Sequence, residues 1–251
     1  MTEAYFRKVV PAYIENWPPE VQALSFRQAG IALTPEETRS MGRACLGYDG
    51  WFAEGTAESL DSVAGQLENV FHSFPQGAMV RLGSRSAKDS SFARHYGLRV
   101  TTPAEALAML TSGSRRVAQD LRLAIRHGYA PHVFLREWHA IPAWAEFRCF
   151  IRAGALIGIS QYDAMTLGYC AEIAAQAESI EAAIRAFCVK LRSVSHLEEL
   201  AADVFVSELS NPAGPNVTLI EVNPLFLKTG SCLFDWCKND FDGTFRFATC
   251  R

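Results

Sequence analysis

Apolar positions in the first seventy-odd residues recur mostly at helical spacing. Thr34-Pro35-Glu36-Glu37 predicts a helix start: Thr at the cap, Pro at the first helical position and Glu three residues after the cap. A second helix is expected over Ser59 to His72, with Leu60, Val63, Leu67 and Val70/Phe71 on one face. Pro75 and Gly77 break that period. Ala78 to Leu82 reads as a short apolar strand running into the polar loop Gly83 to Ser91. Thr102-Pro103-Ala104-Glu105 repeats the capping device for a helix carrying Ala106, Leu107 and Leu110, which Gly113 ends. Val117 to Arg126 is a further short helix.

From there strand patterns dominate. Val133 to Leu135 is one strand, and Glu146 to Ile151 and Leu156 to Ser160 form a hairpin across Ala153-Gly154. Ile180, Ala183, Ile184, Phe187 and Leu191 mark an amphipathic helix. Asp203 to Val206 and Val217 to Val222 are the last two strands, joined by a turn over Asn211 to Asn216. The expected class is α+β with antiparallel sheet in the second half. The expected division is an N-terminal helical region at 1–74, a mixed region at 75–131 opened by the strand and its polar loop, and a strand-rich region at 132–251 that ends on the hairpin.

Composition narrows this little. Apolar residues make up 49% and charged residues 20%, an ordinary globular balance, and the net charge of -3 gives no global basic field for nucleic acid. No apolar run nears the roughly 18 residues that span a bilayer. The first residues lack the apolar core of a signal peptide. The seven cysteines are scattered without a C-x-x-C, which implies free thiols in a reducing, cytoplasmic setting. Cys232 and Cys237 have no further metal ligands nearby in sequence, so buried structural cysteine outweighs zinc.

The last hairpin holds the most informative chemistry. Glu221 and Asn223, two apart on a strand, point the same way, and Asp203 on the partner strand can lie across from them. Two carboxylates and an amide oxygen make a hard site of the kind magnesium takes beside nucleotide phosphates. A solvated acidic residue beside an Asn-Pro turn is the plainer reading of Glu221 and Asn223 alone. Arg81 ends an apolar strand, and Lys88 lies in the serine-rich loop after it. Such a loop can close over phosphates, although a solvated loop is the commoner case. Arg148 shares a strand face with Glu146 and Phe150, so it must be paired or face a polar cleft; Glu146 or Glu137 are candidate partners. The Walker, dinucleotide-fold, zincin and hydrolase-elbow motifs are missing.

Three blocks together resemble one family. They are Ser86 to Ser90; Leu135 to Trp138 with Glu146 to Ile151 and Leu156 to Gln161; and Leu219 to Pro224 with Thr229 to Trp236. Their order and spacing are similar to the cell division cycle protein 123 family, a divergent ATP-grasp branch, over roughly residues 75–240. A looser likeness is to bacterial and phage ATP-grasp proteins with arginine in place of the first phosphate-binding lysine. The resemblance implies ATP in a cleft between two lobes with antiparallel sheets. It puts Arg81 at the first phosphate lysine, with Lys88 and Asp89 in a mobile loop and Arg148 reaching the phosphates. Arg136 to Ile141 becomes a hinge strand that pairs with adenine, so that Arg136, Glu137, Trp138, Ala140 and Ile141 line the base pocket. Asp203, Glu221 and Asn223 become magnesium ligands. The chain departs from the family pattern with Arg81 for Lys, Glu221 for Asp, Ser84 for Trp and Tyr162 for a basic residue.

Two functions follow as expectations. One is an ATP-grasp ligase working through an acyl phosphate, with Arg148 and Lys88 stabilising the transferring phosphoryl group. The alternative is a non-catalytic, ATP-dependent assembly chaperone, as the family is for the gamma subunit of a eukaryotic translation initiation factor. The expected partners are ATP and an unidentified small-molecule or protein substrate or client. A degenerate fold without nucleotide is the third and plainest option.

Overall fold

The computed structural model describes residues 3–46 and 57–249. Helices α1 (Glu3–Val9) and α2 (Pro19–Gln22) precede strand β1 (Gln28–Ala32), and α3 (Pro35–Leu46) and α4 (Ala57–Phe71) follow it. Next come β2 (Ala78–Leu82), α5 (Ser91–Tyr96), β3 (Arg99–Val100), α6 (Pro103–Thr111), α7 (Arg115–Arg126) and β4 (His132–Glu137). The remainder is β5 (Glu146–Arg152), β6 (Ala155–Gln161), α8 (Ala164–Leu167), α9 (Ala171–Val194), β7 (Leu200–Ser207), β8 (Asn216–Pro224) and β9 (Phe245–Arg246). The α+β class is as expected. Among the described residues no helix is long and apolar enough to cross a membrane, and the described cysteines are free thiols. The chain divides into two compact units, Met1–Val10 with Arg27–His139, and Pro11–Phe26 with Ala140–Arg251.

In the first unit the sheet order is β1-β4-β2-β3, antiparallel throughout. Its inner face places Ile31, Val80, Leu82, Val133 and Leu135 in one core with Met41, Val63, Leu67, Leu110 and Leu121 from the helices. Each such side chain contributes about 1.5–3 kcal/mol by leaving water. The anticipated caps are made: Thr34 Oγ1 accepts from the Glu37 amide at 3.2 Å, while Glu37 Oε2 accepts from the Thr34 amide at 2.8 Å. Thr102 Oγ1 likewise accepts from the Glu105 amide, while Glu105 Oε2 accepts from the Thr101 amide, and Gly113 (φ 81) follows the end of α6. Strand β1 was not anticipated, because in Gln-Ala-Gly-Ile-Ala only Ala29 and Ile31 carry the inward alternation.

The register fixes the opposite face of this sheet. Gly30, Phe134 and Arg81 form one cross-strand row, and Gln28, Arg136 and Met79 form the next. The Phe134 ring covers Gly30, since a Cβ on it would meet Phe134 Cε1 at 2.7 Å.

In the second unit the order is β8-β7-β5-β6-β9, with only β9 parallel to its neighbour. The β5–β6 turn uses Ala153 (φ 47) and Gly154 (φ 71), the two left-handed positions that suit a tight hairpin. Helix α9 buries Ile180, Ile184, Phe187 and Leu191, and its Cys188 contacts Cys149 of β5. Strand β7 starts earlier than the sequence suggested: Leu200, Ala201 and Ala202 are small or apolar and fully buried, so Asp203 sits in mid-strand.

Candidate functional site

Pairing of β5, β7 and β8 lines up three charged side chains. Arg148 lies opposite Asp203, and Asp203 lies opposite Glu221. Arg148 Nε donates to Asp203 Oδ1 at 2.6 Å and Nη2 to Oδ2 at 2.7 Å, a bidentate fork. Both groups are withdrawn from water, at 6% and 0% exposure. Arg148 Nη1 donates to the Gly230 carbonyl at 2.9 Å, and the guanidinium carbon lies 4.8 Å from the Tyr162 ring centroid. Asn223 shares the Glu221 face, and its Nδ2 donates to Glu221 Oε1 at 3.1 Å and to Asp203 Oδ2 at 3.4 Å. The three residues expected to be metal ligands thus converge, and Arg148 pairs with Asp203 rather than with Glu146 or Glu137.

Burial dominates the electrostatics of this row. It pushes the Asp203 carboxyl up to about 7; Arg148 pulls the other way, while Glu221 and Glu146 add to the push. Burial also weakens the Arg148 charge, but the Asp203 carboxylate more than restores it and raises its pKa. A permanently charged guanidinium therefore faces a carboxyl that is reluctant to ionise. A cation beside Asp203 would remove that reluctance. Burial also lifts the Tyr162 hydroxyl above its ordinary range, and it pushes the Cys232 thiol up to about 11 against the pull of Arg148.

Magnesium fits this donor set. Asp203 and Glu221 offer hard carboxylate oxygens that Asn223 Nδ2 brings together, and the same carboxamide carries a third hard oxygen. Among the described residues no three His, Cys, Asp or Glu side chains form a metal cluster, so a magnesium ion here would take the Asn223 amide oxygen as its third protein donor.

The first unit presents its candidates differently. Arg81 is 2% exposed, and its Nε donates to the Leu82 carbonyl at 3.0 Å. The loop expected to be mobile folds back on β2 through an Arg81–Ser86 bridge and a Leu82–Arg85 backbone bond, leaving Lys88 exposed. Asp89 is tied down: it accepts from the Ser114 hydroxyl at 2.6 Å and the Arg116 amide at 3.3 Å, at the positive end of α7. Arg136 is buried on the same sheet face as Arg81. The strand expected over 136–141 stops at Glu137, because Pro142 has no N–H and the intervening residues join no ladder. Glu137 accepts from Arg27 at 3.4 Å and lies 3.5 Å from His139. Trp138 is half-buried, and its amide donates to the Gly77 carbonyl at 3.4 Å. Ala140 is exposed and Ile141 half-buried.

Sequence reasoning missed the Gly230 carbonyl and the Tyr162 ring around Arg148. Gly230 carried a weak signal, since a Cβ there would sit 3.1 Å from Arg148 Nη1.

A family model described as D123 matches residues 38–241. The chain belongs to the D123 family. All the candidate residues, from Arg81 to Asn223, lie inside the D123 match. The fold class is the expected α+β with antiparallel sheets. Cell division cycle protein 123 of Eremothecium gossypii is 31% identical over 193 residues, covering 70% of this chain and 52% of that protein. A translation initiation factor eIF2 assembly protein of Xenopus laevis is 36% identical over 103 residues, covering 41% of this chain and 28% of the relative. The chain spans about half the length, or less, of these curated D123 relatives. The structure of Cdc123 from Schizosaccharomyces pombe superposes with a TM-score of 0.74 at 20% identity, covering 97% of this chain and 98% of that one. That likeness is one of fold.

Proposed function

We propose that this D123 protein binds magnesium–ATP and uses the bound state to hold a protein client during assembly, in the cytoplasm. The observation that carries the reading is the buried row Arg148–Asp203 with Glu221 and Asn223, within a chain whose relatives are named for eIF2 assembly. Asp203, Glu221 and Asn223 hold the magnesium, which supplies charge neutralisation for the phosphates. Within the second unit Arg148 adds to that neutralisation; within the first, Arg81 and Lys88 are cationic contacts for phosphate, and Asp89 anchors the loop carrying Lys88. Arg136, Glu137, Trp138, Ala140 and Ile141 take the base end of the nucleotide. The name of the Xenopus laevis relative, an eIF2 assembly protein, favours a translation factor as client over a small-molecule ligase reaction.

Calorimetric titration of ATP, with and without magnesium, into the wild type and a Glu221→Gln/Asn223→Ala variant tests this. Both replaced residues are only half-buried, so the variant keeps the Arg148–Asp203 pair and its fold. Magnesium-dependent heat in the wild type and none in the variant is the expected result. An absence of heat in the wild type under both conditions sinks the reading. ADP release that depends on an added amine would replace assembly by ligation.

A further inference from the structure

The Gln28 carboxamide is an anomaly within the first unit. Its Oε1 and Nε2 are both withdrawn from solvent, and among the described residues neither has a hydrogen-bond partner. A buried amide left unpaired on both sides is costly, and folds rarely tolerate one without a ligand or water to satisfy it. Nothing else about β1 asks for a polar residue here, since the neighbouring row on the same face holds Gly30.

Its place on the sheet says what it could meet. Gln28 pairs with Arg136, one row along from Gly30–Phe134–Arg81. Rows are about 7 Å apart along the strands, and β1 lies two strands, about 10 Å, from β2, so Gln28 and Arg81 are roughly 12 Å apart at the backbone. That is the scale on which a nucleotide separates its base from its outer phosphates. With Arg81 at the phosphate end, Gln28 stands at the base end, beside Arg136. A carboxamide offers one donor and one acceptor side by side. Adenine matches this with its exocyclic amine and N7, whereas guanine presents two acceptors on that edge.

We infer that Gln28 is a base-reading residue, which selects adenine over guanine in the nucleotide site. This inference rests on the nucleotide-binding reading above. The test is calorimetric titration of magnesium–ATP and magnesium–GTP into the wild type, Gln28→Ala and Gln28→Leu, with thermal melts of all three proteins without nucleotide. The expected result is about a tenfold loss of ATP affinity in both variants with little change for GTP, so that the preference for ATP collapses. The nucleotide-free variants should melt at or above the wild type, because the unpaired buried amide is gone. Wild-type ATP binding with both variants unchanged overturns the inference and leaves the nucleotide reading standing. Equal losses for ATP and GTP also overturn it, as a contact to ribose or phosphate would give that pattern. Melting well below wild type overturns it too, by showing a structural partner. No nucleotide binding in the wild type removes both readings together.

Discussion

The two units handle charge in opposite ways. The second packs its candidate groups into one buried, mutually bonded row: Arg148 forked onto Asp203, with Asn223 bridging Asp203 and Glu221. The first places its groups on separate elements, with Arg81 and Arg136 buried on a sheet face, Lys88 exposed on a loop and Asp89 tied to a helix start. The lesson concerns what each arrangement costs. A buried row is rigid and ready for a cation, but the fold depends on its completeness. An exposed group such as Lys88 can be edited with little harm to the fold and should show its worth only when ligand is present.

The sharpest break in that comparison is Arg148→Met set against Lys88→Ala. Removing Arg148 leaves a buried carboxylate without its partner, which costs about 3–5 kcal/mol. Lys88→Ala changes an exposed side chain and should stay within about 0.5 kcal/mol. Urea denaturation of both variants measures this. Arg148→Met/Asp203→Leu should recover most of the loss, since two apolar groups replace the pair. Similar small losses in Arg148→Met and Lys88→Ala would erase the distinction between the units.

A smaller effect compares two glycines. A Cβ at Gly158 of β6 would meet Phe234 Cζ at 2.6 Å, and one at Gly30 of β1 would meet Phe134 Cε1 at 2.7 Å. The clashes are alike, but the rings differ in freedom. Phe234 stacks on Phe241 at 4.8 Å and meets Phe150 edge-on at 5.6 Å, whereas Phe134 has His132 at 6.1 Å. Overpacking costs about 1–3 kcal/mol, offset by roughly 0.5–1 kcal/mol from replacing a strand glycine. Gly158→Ala should therefore fall at the upper end and Gly30→Ala near zero, measured as the difference in their urea midpoints. A reversed order would mean that the first unit's sheet is the less forgiving one.

Legibility cut across that divide. The second unit was readable because strand alternation alone put Glu221 and Asn223 on one face and kept Arg148 opposite Phe147 and Cys149. What alternation could not reveal was register: Asp203 meets both Arg148 and Glu221 only because β7 begins at Leu200. The capped helices of the first unit were equally plain, since Thr-Pro-x-Glu states its own hydrogen bonds. Strand β1 was hidden because five residues with a central glycine carry too little period to separate strand from helix. Gln28 was hidden with it. Asp89 shows a different limit, since its partner Ser114 lies 25 residues away, on another element.

The smallest effect tests whether the second unit's burial, rather than its charge count, makes its row special. The unit also holds an exposed charge cluster, Arg246 with Asp240 at 2.7 Å and Asp242 at 3.1 Å. Asp242 is held down to about 2, chiefly by the Thr244 hydroxyl and amide and then by Arg246. A carboxylate depressed on folding adds stability above its unfolded pKa of about 3.9 and loses it as pH falls toward its folded value. Because Asp242 is open to water, that contribution is screened and global melting should barely register it. The Thr244 amide, which donates to Asp242 Oδ1 at 3.2 Å, is the local reporter. Its proton chemical shift should titrate with a midpoint near 2 in the wild type, and that step should vanish in Asp242→Asn. A midpoint near 4 would mean that the cluster does not hold in solution. The contrast between a buried row that the fold needs and an exposed one that it merely tolerates would then rest on Arg148 and Asp203 alone.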